Sequence, residues 1–129
     1  MKSVTDLEQS HRLAEILPKA TADFIQSKNG GIANFPICNC NGTDESFPAW
    51  SLTALCNAIK ITENTDFELN KGGYDVFNKH IYIKDEWFAC YENTSFEDVD
   101  DYVFISKHST EIIDAVVELI FELKEKNLL

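Results

Sequence analysis

The sequence predicts an α+β fold: N-terminal helices, an antiparallel meander of three to five strands, and a C-terminal helix packed on one sheet face. Three observations predict it. A capping motif opens a short amphipathic stretch near the start. Between Asp66 and Ile105, β-branched and aromatic residues gather in short runs separated by turn residues, the composition of strands. From Ile112 onward a helical apolar periodicity returns. A sheet needs one face covered, and the last helix is the natural cover.

Thr5-Asp6-Leu7-Glu8 fits a capping box, with Thr5 as the cap and Glu8 reaching back. The helix is expected to run to about Leu17, with Leu7, Leu13, Ala14, Ile16 and Leu17 on its apolar side. Glu8 and Arg12 lie one turn apart and are spaced to pair. Pro18 breaks or restarts the helix. A second short helix is expected over Ala20 to Lys28, ended by Asn29-Gly30-Gly31. Ile32 to Phe47 reads as irregular, because Pro36, Asn39, Asn41, Gly42 and Asp44 favour turns. Pro48 suits the first turn of the next helix, expected to reach about Ile59. Helical spacing puts Leu52, Leu55, Cys56 and Ile59 on one face of it, and Trp50 nearly opposite.

The strand candidates follow. Phe67-Glu68-Leu69 alternates, Lys71-Gly72-Gly73 offers a hairpin turn, and Tyr74-Asp75-Val76-Phe77 is the second candidate. Ile81-Tyr82-Ile83 and Trp87 to Tyr91 are the third and fourth, and Tyr102 to Ile105 is one more. Thr94 to Asp101 is an acidic loop between them. Ser109 or Thr110 caps the last helix. Glu111, Asp114, Glu118, Glu122 and Glu125 share a narrow face of that helix, leaving an apolar arc about 200° wide. A surface helix shows an arc nearer to about 100°. The excess implies deep packing, or cover by a second copy of the chain and hence a homo-oligomer.

At 129 residues the chain reads as a single domain, 1–129. A chain of this length buries enough surface to fold without a metal or disulfide. Its net charge is −11, and residues 66–129 carry −9 of it. That field repels nucleic acid and anionic membranes and attracts a basic protein. The chain holds one arginine, Arg12, which disfavours a phosphate-gripping site. No apolar run approaches the roughly 20 residues that cross a bilayer. The first ten residues lack the pattern of a secretory leader, so a cytoplasmic protein with reduced thiols is expected.

Motifs that carry chemistry are missing from this sequence. Cys38 and Cys40 are spaced one residue too close for a zinc pair, and His11, His80 and His108 are scattered. Neither cysteine sits in a nucleophile signature, although a histidine brought close by folding would make one reactive. Glu97, Asp98, Asp100 and Asp101 lack the glycine and closing glutamate of a calcium loop. They serve as a solvated or partner-facing patch. Trp50 is either covered by the loop Ile32–Phe47 or the first helix, or an aromatic anchor for a partner. No metal and no cofactor are expected.

Three segments carry a resemblance. They are Leu13-Ala14-Glu15-Ile16-Leu17-Pro18 with Thr21-Ala22-Asp23, then Pro48-Ala49-Trp50-Ser51-Leu52-Thr53-Ala54-Leu55, then Asp114 to Ile120 with the closing Leu128-Leu129. Through them the chain resembles small acidic proteins of unknown function carried by phages and mobile elements of gut Bacteroidetes. The resemblance implies a cytoplasmic protein encoded by a mobile element and supplies no activity. The resulting expectation is a non-catalytic acidic protein that binds a basic protein, as an inhibitor or accessory factor, through Trp50 and the acids Glu97, Asp98, Asp100 and Asp101. The alternative is a small-ligand binder or enzyme whose site forms only in three dimensions.

Overall fold

The computed structural model describes residues 2–27, 31–34, 46–72, 85–93 and 103–129. The class is α+β, with helices at both ends of the chain and, among the described residues, two antiparallel three-stranded sheets. The chain divides into two compact units, Lys2–Ala58 and Ile59–Leu129.

In the first unit, helix α1 spans Leu7–Ala14. Its cap is Asp6, one residue later than the sequence motif suggests. The Gln9 N–H donates to Asp6 Oδ1 at 2.8 Å, and the Asp6 N–H donates to Gln9 Oε1 at 3.0 Å. Thr5 is displaced from the cap because tertiary structure claims it. Its side chain is fully buried; Oγ1 accepts the Trp50 N–H at 3.1 Å and shares a hydrogen bond with Ser10 Oγ at 2.8 Å. The Lys2 ammonium bonds to Asp6 Oδ2 at 3.0 Å. Partial burial pushes the Asp6 carboxyl up, but the Gln9 N–H, the Lys2 ammonium and the Glu8 N–H outweigh it and hold it below its ordinary value.

The expected second helix is corrected. Pro18 adopts an extended conformation, a single 3₁₀ turn covers Lys19–Thr21, and strand β1 follows at Phe24–Ser27. Phe24-Ile25 is an aromatic–β-branched pair that suits a sheet. β1 is the central strand, flanked by β2 (Ile32–Asn34) and β3 (Ser46–Ala49), so the stretch read as irregular carries a strand at each end. Pro48 lies in β3, opposite Ile25, and not in a helix. β3 is an edge strand, where a residue without an N–H is tolerated. Helix α2 therefore starts late, at Leu52–Ala58. Ser51 caps it: its Oγ accepts the Ala54 N–H at 3.2 Å, and its carbonyl accepts the Leu55 N–H at 3.0 Å.

In the second unit, β4 (Thr65–Lys71), β5 (Trp87–Asn93) and β6 (Val103–Ser109) form the expected meander. Gly72 takes a φ of 66°, which glycine tolerates best, and its N–H donates to the Glu86 carbonyl at 2.8 Å. The candidate strands Tyr74–Phe77 and Ile81–Ile83 lie outside the described residues. Helix α3 (Ile112–Glu125) packs on β5 and β6. Glu111 stands at its cap without a side-chain cap bond; Ser109 instead accepts the Glu111 N–H at 3.2 Å. The Lys107 ammonium reaches Glu122 on α3 at 2.7 Å, so Lys107 and its period-two partner Ile105 face the helix. Across the ladder, Ala89 and Tyr91 share that face and are buried.

Eight apolar residues of α3 are at most 7 % exposed within the single chain. Each buried Val, Leu or Ile contributes about 1.5–3 kcal/mol, so the wide apolar arc belongs to the interior. Of the two expectations for that arc, deep packing is the one these eight residues show. The helix ends in a Schellman motif. Asn127 adopts φ 57°, the Leu128 N–H donates to the Leu123 carbonyl at 2.8 Å, and the Asn127 N–H donates to Lys124 O at 3.1 Å.

Candidate functional site

Trp50 is fully buried, so it has no ring surface to offer a partner. The helical phase that pointed it outward does not apply, because Trp50 precedes α2. Its indole Nε1–H donates to Thr21 Oγ1 at 2.9 Å, and the Thr21 hydroxyl donates to the Pro18 carbonyl at 2.6 Å. Next to it, Ser51 donates twice to Asp23: its N–H to Oδ1 at 2.9 Å, and its hydroxyl to Oδ2. The Trp50-Ser51 dipeptide thus fixes both Thr21 and Asp23.

Between these fixed residues and one side of α2 lies an open cleft of about 310 Å³. Among the described residues lining it Asp23 is the single charged one, and Ala22, Ala54 and Ala58 give it short apolar walls. Thr53 and Asn57, one helical turn apart on α2, line its other side and are exposed. Among the described residues neither side chain engages a hydrogen-bond partner.

The second candidate is the face of the β4–β5–β6 sheet that points away from α3. Register and alternation place three rows on it: Asp66–Glu92–Phe104, Glu68–Cys90–Ser106 and Asn70–Phe88–His108. Asp66 and Glu68 are exposed. Asp66 and Glu92 stand directly opposite each other. Residues so placed are about 5 Å apart at Cβ. With Glu68, Cys90 and Phe104 they rim a shallow hollow of about 80 Å³. Cys90 Sγ lies 3.6 Å from Ser106 Oγ.

Among the described residues no group of three or more His, Cys, Asp and Glu side chains is placed to hold a metal ion. His11 lies against the Phe47 ring at 4.2 Å, while His108 contacts Glu86 through Nδ1 and stacks on Phe88 at 5.5 Å. Cys56 is half-buried, and that burial pushes its thiol up, away from the reactive thiolate. Cys38, Cys40, His80 and the acids Glu97, Asp98, Asp100 and Asp101 lie outside the described residues. No described helix is long and apolar enough to cross a membrane.

Sequence reasoning missed both the cleft and the acidic face. Asp66-x-Glu68 within a strand signals two acids on one side, but the third, Glu92, joins them only through register. Asp23 and Ser51 are 28 residues apart, and nothing local links them. The chain matches no protein-family model, no curated protein and no solved structure.

Proposed function

We propose that this is a non-catalytic acidic protein that binds a basic protein partner, as an inhibitor or accessory factor encoded by a phage or mobile element and acting in the cytoplasm. One observation carries the reading: Asp66, Glu68 and Glu92 share one face of a sheet, two of them directly opposed. Such a face gathers negative charge, and lysine or arginine side chains laid over it are complementary to it. The net charge of −11 adds long-range attraction for the same partner. The resemblance to acidic phage and mobile-element proteins supports the biological setting.

The test uses a lysine–alanine alternating decapeptide and the intact chain, followed by amide chemical shifts. Saturable shifts confined to β4 and β5, weakened steeply by salt and lost in Asp66→Asn/Glu68→Gln/Glu92→Gln, support the reading. Shifts that map elsewhere, or a triple variant that binds as well as the parent, overturn it. A partner then captured from host lysate must lose binding to the same triple variant.

A further inference from the structure

We propose that the cleft beside α2 is a receptor for a primary alkylammonium group: an ammonium head on an aliphatic stem, as in a lysine side chain. The cleft supplies what that group needs. An ammonium has three N–H donors and no acceptor. The cleft is lined by three acceptors: the Asp23 carboxylate, the Asn57 carboxamide and the Thr53 hydroxyl. Each Asp23 oxygen already accepts one bond from Ser51, and a carboxylate has about four acceptor sites, so capacity remains on both. The short walls of Ala22, Ala54 and Ala58 suit a methylene stem. A volume of about 310 Å³ holds one extended side chain but no large cofactor.

Preorganisation is the second strand of support. Ser51 holds Asp23 through two hydrogen bonds, and the Trp50 indole holds Thr21 on the same wall. The charged acceptor therefore needs no ordering when the ligand arrives, which removes part of the entropic cost of binding. Asn57 and Thr53, exposed and unengaged among the described residues, are the groups that turn toward the head. Arginine suits the site less well, because its planar fork prefers a carboxylate free for two parallel bonds, and here Ser51 occupies one position on each oxygen.

The proposal draws on the basic-partner reading only for the source of the ammonium; the cleft chemistry stands apart from the acidic sheet face. The experiment titrates the intact chain with Nα-acetyl-lysine methylamide and, in parallel arms, with its norleucine counterpart and with 1,5-diaminopentane, reading amide shifts. Saturable shifts at residues 20–23 and 53–58 with the lysine probe, absent with norleucine, are expected. Tighter binding of the lysine probe points to a partner's side chain, and equal or tighter binding of the diamine points to a free amine. Asp23→Asn keeps an acceptor for Ser51 but removes the charge, and should weaken binding about tenfold. If that variant unfolds, Asn57→Ala decides, since its side chain is exposed and bonds to no other described residue; a several-fold loss is expected. Equal shifts from norleucine, no saturable shift at millimolar probe, or an Asn57→Ala variant that binds as well as the parent each overturn the proposal. Because the sheet-face triple variant leaves the cleft intact, its behaviour separates failure of the cleft from failure of the basic-partner reading.

Discussion

Thr5→Val removes a single hydroxyl at nearly constant shape, and its effect follows from the bonds that hydroxyl makes. Thr5 Oγ1 accepts the Trp50 backbone N–H at 3.1 Å and bonds Ser10 Oγ at 2.8 Å, and all three residues are fully buried. Valine leaves the Trp50 N–H with no acceptor and Ser10 with one partner fewer. A buried polar group left unsatisfied costs about 1–3 kcal/mol, so two such groups give about 2–6 kcal/mol. Ser10→Ala removes only one of the two contacts, and Thr5 still serves Trp50, so its loss is about 1 kcal/mol. The double variant should lose less than the sum, because removing Ser10 also removes one orphan. Urea unfolding followed by Trp50 fluorescence in a Trp87→Phe background measures all three. With a slope of about 1–1.5 kcal/mol/M for so small a unit, the Thr5→Val midpoint should fall by roughly 1.3 M or more. A midpoint loss for Thr5→Val no larger than that for Ser10→Ala, or strict additivity in the double variant, would refute the reasoning.

Four further outcomes are expected. Asn127→Gly should raise stability by about 0.5–1 kcal/mol and Asn127→Val lower it by more, because φ is 57° there; thermal midpoints give the order. The Asp6 carboxyl is held below its unfolded value of 3.8, so its stabilisation is complete above that pH and disappears as pH falls through the lower folded value. Urea midpoints of the parent and Asp6→Asn should therefore differ at pH 6 and converge at acid pH. Leu119→Ala in the fully buried interior of α3 should cost about 2–5 kcal/mol, whereas Lys107→Met, at an ion pair about a third exposed, should cost under about 1 kcal/mol. Sedimentation should return a monomer at micromolar concentration, because eight apolar residues of α3 are already covered; a concentration-dependent dimer abolished by Val117→Ser without unfolding would contradict that.

The second half of the fold was legible because its signals are local. Phe67-Glu68-Leu69, Trp87 to Tyr91 and the periodicity from Ile112 each name an element, and each is found. The first half was less legible because long-range partners override local preference. Ala20-Thr21-Ala22 favours a helix, yet Phe24 to Ser27 is recruited between two strands. Thr5 and Asp6 are both good caps, and only the buried bond to Trp50, 45 residues away, decides between them. The wide apolar arc of the last helix showed the amount of surface to be covered without showing what covers it. Neither candidate site could be read, since the acidic rows depend on register and the cleft on a contact between Asp23 and Ser51.

Residues 4–5, 21–23 and 50–51 meet at one knot: Val4 bridges Ser51, Thr5 clasps Trp50, and Thr21 and Asp23 take the indole and the serine. During synthesis the opening residues must wait for the forty-five that follow before that knot can be tied. At about 5–20 residues per second this is a delay of roughly 2–9 s. A nascent chain cut short anywhere before Trp50 leaves Thr5, Thr21 and Asp23 without the partners that hold them. The knot is therefore tied only after the first fifty residues have been made.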